Sequence, residues 1–167
     1  MKQLLIIVTV VALISSCRQP ARVSGSIRNL IPQQVGNFKL QGEVKPVDIP
    51  PSDKYQSGAL RPTEGLMAHY EASGGAQLFM QVINYPSASD AAQALNQMVE
   101  NVRRSVGGAK VTESTRVDHE QKAPGRKVVV EGFAPGFHAV MWVDSSVFYQ
   151  VSGKNLDAIL EFERNLP

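Results

Sequence analysis

Three histidines, His69, His119 and His138, are the residues of this sequence best suited to moving protons or binding a metal near neutral pH. A site built on a single element needs ligands at i, i+2 or i, i+4, so that two imidazoles share one face. These three lie far apart and meet neither spacing. Covalent catalysis would need a serine or cysteine beside a base. Ser145 and Ser146 follow Asp144, but that triplet separates two apolar runs and reads as the turn of a hairpin. No G-x-S-x-G is present, nor an S-x-x-K with its companion motifs. Glu161 and Glu163 stand two apart on a helix and diverge, and Glu113 and Glu120 straddle a strand end. Neither Gly74-Gly75 nor Gly107-Gly108 both follows a strand and opens a helix, as phosphate-cradling loops do. The residue types therefore predict no metal, no cofactor and no enzyme. The competing enzymatic expectation is a hydrolase with a dispersed site assembled from these histidines and Asp144.

The remaining reactive group is the single thiol, Cys17, which excludes an intramolecular disulfide and a cysteine-cluster metal site. It follows a charged start at Lys2, an apolar run from Leu4 to Ile14, and the small residues Ser15 and Ser16. That order is the layout of a secretory signal, and the run is shorter than the ~20 residues a membrane-spanning helix needs. The quartet Ile14-Ser15-Ser16-Cys17 resembles the lipobox of bacterial lipoproteins. The resemblance implies removal of residues 1–16, diacylglycerol on the Cys17 sulfur and an acylated new amine. Each buried methylene contributes about 0.8 kcal/mol, so two or three chains anchor firmly without help from basic residues. The expected location is the cell envelope, on the periplasmic side. Arg18 stands where an aspartate resembles an inner-membrane retention signal, which favours the outer membrane of a Gram-negative cell.

The chain is 167 residues long, enough for one ordinary domain, with 43% apolar and 19% charged residues. A net charge of +2 argues against a nucleic-acid partner, which would need clustered lysine and arginine. Lys122 with Arg126-Lys127, and Arg103-Arg104 with Lys110, make two small basic spots that read as solvated edges. Residues 17–36 are expected to be the lipidated cysteine and a flexible tether, with Ile27–Ile31 able to dock on the domain. Residues 37–167 are expected to form a single domain.

Within that domain, Phe38–Val44 reads as a strand, followed by a proline-rich irregular stretch over 45–65. Leu66–Ala72 and Ala76–Tyr85 flank Ser73-Gly74-Gly75 as a hairpin. Ser87 with Asp90 begins a helix whose apolar positions, Ala88, Ala91, Leu95, Met98, Val99, Val102 and Val106, form one stripe that Gly107-Gly108 ends. Lys110–Val117, Arg126–Phe133, His138–Val143 and Val147–Ser152 read as further strands. Asn155 caps a short terminal helix carrying Leu156, Ile159, Leu160 and Leu166. The order predicts an α+β fold: a mainly antiparallel sheet covered on one face by one long and one short C-terminal helix, a two-layer sandwich.

The run Ala139–Gly153, a strand with Trp142, a turn and an aromatic strand ending in glycine, precedes a leucine-bearing helix. It resembles C-terminal domains of unknown function in bacterial envelope lipoproteins and in anti-sigma-factor-associated proteins, and more loosely the PsbP/Mog1-like α+β sandwiches. The resemblance covers about 30 residues and carries no catalytic residue across. Together these features predict a lipid-anchored, non-enzymatic module that binds an unknown protein or a small apolar ligand. Tyr55, Trp142 and Tyr149 are its candidate contact residues. The alternative the resemblance suggests is a regulatory or sensor domain of an envelope-stress pathway.

Overall fold

The computed structural model describes residues 27–47, 60–105, 108–116 and 125–167. The signal segment, Cys17, Tyr55 and His119 lie outside the described residues. Among those described, eight strands form one antiparallel sheet: β1 (Gln34–Val35), β2 (Phe38–Pro46), β3 (Glu64–Ala72), β4 (Gln77–Asn84), β5 (Lys110–Arg116), β6 (Gly125–Ala134), β7 (Phe137–Asp144) and β8 (Val147–Gly153). Their order across the sheet is β1-β2-β3-β4-β8-β7-β6-β5. The chain meanders inward from β1 to β4 and crosses to the far edge through α1 (Ala88–Ser105). It then meanders inward again through β5 to β8 and closes with α2 (Leu156–Arg164). The α+β class and the antiparallel sheet are as the sequence predicts.

Both helices begin at the capping residues the sequence marks. Ser87 Oγ accepts the Asp90 amide at 3.1 Å while donating to Asp90 Oδ2 at 2.7 Å. The Asn155 side-chain oxygen Oδ1 accepts the Ala158 amide at 3.1 Å. Each contact satisfies a backbone donor that the first helical turn leaves unpaired. On α1 the positions Ala91, Leu95, Val99 and Val102 are buried, as the spacing predicts. Val106 lies outside the described residues. No helix among the described residues is long and apolar enough to cross a membrane.

The helices do not share a face, and this corrects the expected two-layer arrangement. Gln81, Gln150, Met141 and Val128 pair in one row across four strands, so their side chains lie on one face. Met80, Val151, Val140 and Val129 form the next row and lie on the other. Leu95, Val99 and Val102 of α1 pack with Val128, Val130, Ala139, Met141 and Phe148, all on the first face. Ala158, Ile159, Phe162 and Leu166, from α2 and the residues after it, pack with Leu78, Met80, Val82, Val140, Trp142 and Val151 on the second. The cause is visible in β7, where Ala139, Val140, Met141 and Trp142 are buried in succession. A strand apolar on both sides needs a cover on both sides.

The segment before residue 37 docks on the domain through the piece Ile27–Ile31 that the sequence marks as able to do so. Ile27, Ile31 and Val35 are buried in the core beneath α2, and Tyr70 Oη donates to the Pro32 carbonyl at 2.7 Å. The stretch 27–36 of the expected tether is thus built into the domain. Phe162 holds this corner together, with Tyr70 and Phe38 edge-on to its ring at 4.7 and 5.4 Å. Burial pushes the Tyr70 hydroxyl up to about 12.

The two meanders join where β4 meets β8, and their contact is tight at Gly153. A Cβ there would lie 2.7 Å from Leu78 Cδ2 and 2.8 Å from the Gln77 carbonyl oxygen. The oxygen belongs to the adjoining strand and cannot move without breaking the ladder. Gly153→Ala is therefore expected to cost about 1–3 kcal/mol of stability in urea unfolding. Gly74→Ala, with open space around its Cβ, should leave the urea midpoint nearly unchanged; equal losses at the two positions would contradict this packing.

Candidate functional site

Two regions concentrate the side chains able to recognise another molecule. The first lies on the face covered by α2 and contains two of the expected contact residues. Trp142 on β7 and Tyr149 on β8 are direct cross-strand partners, and their rings stack with centroids 5.0 Å apart and planes within 2°. The Arg116 guanidinium stands over the Trp142 ring, 4.8 Å from its centroid. Arg116 Nε also donates to Glu163 Oε1 at 3.0 Å, and Lys127 Nζ donates to Glu163 Oε2 at 3.0 Å. The Glu163 side chain is only 4% exposed, so a single buried carboxylate on α2 holds two cations from β5 and β6.

A cavity of about 120 Å³ opens beside this cluster, lined by Asn29, Met80, Arg116, Trp142, Asp144 and Tyr149 among others. Burial pushes the Tyr149 hydroxyl up to about 12, with the Asp144 charge acting in the same direction and Arg116 opposing. Trp142 is 2% exposed. Its surface is committed to the core and to Arg116, and Tyr149 is the more accessible of the pair.

The second region was not singled out by the sequence. α1 covers the first face over β6, β7 and β8 and reaches Ile83 at the end of β4, and among the described residues no helix lies over the rest of that face on β2, β3 and β4. Gln41, His69 and Phe79 stand in one cross-strand row there, with Met67 beside them on β3. Phe79 is the one large hydrophobic side chain exposed among the described residues, at 36%. His69 stacks on it with centroids 5.0 Å apart and planes 19° from parallel, and the His69 Nε2 atom is buried without a hydrogen-bond partner.

A cavity lies on each side of the Phe79 ring. One, about 260 Å³, is lined by Gly75, Ala76, Gln77, Phe79, Phe137, Lys154 and Asn155. The other, about 270 Å³, includes Gln41, Glu43, Lys45, Met67, His69 and Phe79. It sits where β2 shifts register between Gln41 and Lys45, around Gly42 with φ +66°, a backbone conformation glycine adopts readily.

Among the described residues weighed for catalysis, the histidines are not brought to the Asp144 turn or to each other. His69 and His138 project from opposite faces, and His138 Nδ1 accepts the Gly132 amide at 3.4 Å. The Ser145 hydroxyl donates to Asp144 and the Ser146 hydroxyl to Asn84. Among the described residues no group of three histidine, cysteine, aspartate or glutamate side chains is placed to hold a metal ion. Arg126 and Lys127, adjacent in sequence, are separated by the sheet. Lys127 reaches Glu163 on one face, while Arg126 and Arg103 both bind Glu113 at 3.0 Å on the other and hold its carboxyl below the usual range.

Sequence reasoning missed Glu163 and Phe79 for different reasons. Glu163 lies four residues after Ile159 and three before Leu166, on the buried stripe of α2, so the helical spacing does carry its signal. Phe79 belongs to the strand face opposite Leu78, Met80 and Val82, and nothing local says whether a helix will cover that face.

No protein-family model matches the chain, and no curated protein does. Among solved structures, a GTP-binding regulator from Thermotoga maritima is 21% identical, with 84% of this chain and 80% of that chain covered and a TM-score of 0.48.

The charge cluster yields a direct expectation. Glu163→Gln removes the carboxylate bonded to two poorly solvated cations and is expected to cost roughly 3–5 kcal/mol. Chemical denaturation followed by circular dichroism measures it; a loss well under 1 kcal/mol would mean that Arg116 and Lys127 regain water freely.

Proposed function

We propose that this protein is a lipid-anchored lipoprotein of the bacterial cell envelope whose domain is a non-enzymatic binding module. The observation that carries the binding reading is the half-sheet left bare by α1. An aromatic ring more than a third exposed there sits between two cavities on an otherwise ordered antiparallel surface. An exposed aromatic ring flanked by concave spaces on a folded domain is where ligands and partners dock. The anchor reading rests on the lipobox-like Ile14-Ser15-Ser16-Cys17. Because the domain includes residue 27, only about ten residues separate it from Cys17, and the module would work close to the bilayer surface. The fold family we assign is that of the PsbP/Mog1-like sandwiches, on the strength of a long helix set between two antiparallel meanders and a helix at the C-terminus.

Both parts are testable. Mass spectrometry of the membrane fraction should find the chain beginning at an acylated Cys17, while Cys17→Ser leaves the membrane. A variant that stays membrane-bound at the wild-type mass would overturn the anchor. For the binding reading, methionine methyl resonances of the full chain are the probe, since Met67 lies on the bare half-sheet while Met80 and Met141 are core residues. An extract of the cell envelope should shift Met67 and leave Met80 and Met141 in place; an unmoved Met67 would contradict the proposal.

A further inference from the structure

We infer that the bare half-sheet is a single groove for a long-chain anionic amphiphile, an acyl chain lying along Phe79 with its charged head at Lys154. This rests on reading that surface as the binding site and names what it takes. The two cavities, about 260 and 270 Å³, are each smaller than the ~300 Å³ at which small-molecule sites begin. They share one wall, the Phe79 ring. A surface side chain changes rotamer in picoseconds to nanoseconds, so that wall is a movable partition, and turning it joins the two spaces into one. Turning it also uncovers His69 Nε2, a buried nitrogen without a partner, and its hydration offsets part of the lost stacking.

The joined groove has the shape and polarity of an amphiphile. Phe137 lies on β7 and Gln41 on β2, and the path between them crosses β8, β4 and β3. Four interstrand spacings span about 19 Å, the reach of a long acyl chain. Phe137, Ala76, Phe79 and Met67 supply apolar contacts along that path. Charge is distributed unequally between the ends. At the β2 end Glu43 and Lys45 oppose one another, whereas at the β7 end Lys154 is the one charged lining residue. Its ammonium rests 5.9 Å from the Phe137 ring centroid and makes no ion pair among the described residues. An anionic head at Lys154 gains a counterion, and a neutral head does not. A fatty-acid carboxylate and a lysophospholipid phosphate share this chemistry.

Photo-crosslinking of the full-length protein in its own membranes tests the assignment with diazirine-bearing palmitate, lysophosphatidylglycerol and hexadecanol. Palmitate or lysophosphatidylglycerol is expected to label residues 67–79 and the vicinity of Phe137, and the stronger of the two identifies the source of the head. Hexadecanol should label at least fivefold less. Lys154→Glu, an exposed position whose folding is checked by thermal melting, should lower labelling by the anionic probes at least fivefold and leave hexadecanol unchanged. Equal labelling by the three probes, label scattered over the domain, or indifference to Lys154→Glu would overturn the inference. An envelope extract that shifts Met67 without any groove labelling would overturn the ligand class alone. An unmoved Met67 would remove the binding site itself.

Discussion

The antiparallel pairing of β4 with β8 is the contact on which the molecule depends. Each meander is internally local, but neither half of the sheet can bury α2 alone, because the core beneath that helix draws Leu78, Met80 and Val82 from one half and Val140, Trp142 and Val151 from the other. The seam runs over seven residue pairs from Leu78↔Gly153 to Asn84↔Val147. Its close approach at Gly153 fixes the register, and a slip by one residue would exchange the two faces of every strand beyond it. The helices then follow. α1 carries the chain from β4 to the far edge, and α2 starts where β8 ends, against the opposite face.

That arrangement explains why charge is buried in this small domain. β5 and β6 lie beyond the reach of most of α2, and beside Val129 their face there carries Lys127 and Arg116. Glu163 extends the packing of α2 across them through two ion pairs at 3.0 Å. Desolvating a carboxylate is costly, and two cations with good geometry offset that cost where one would not. The same Arg116 covers Trp142, so the one tryptophan is enclosed by its stacked tyrosine and a guanidinium. This region behaves as a lock between the helix and the outer strands, with a cavity of about 120 Å³ beside it.

The helices also decide where the surface is left open. With α1 laid over β6 to β8 and α2 on the other side, no helix among the described residues covers the outer face of β2 and β3 and most of β4. Phe79 projects from it, backed by His69. An exposed aromatic ring on a rigid sheet brings a large contact area at little entropic cost to whatever binds there.

Much of the local structure is legible in the residues themselves. The stripe from Ala91 to Val102, the Ser87 and Asn155 caps and the glycine-bearing turn at residues 73–75 each act over a few positions, where backbone and side-chain preferences suffice. Four strands after α1 and the antiparallel class follow from the short connections between them. The burial of Ile27, Ile31 and Val35 is only half visible, since a short apolar piece between prolines does not state what it docks on. Which face each helix covers is not legible at all. β7 is apolar on both sides, so its pattern suits a helix on either, and the choice is made by the path of α1 and the β4–β8 seam. Phe79 remains bare for the same reason. A strand's alternation states that two faces exist, and only the assembled sheet determines which of them is covered.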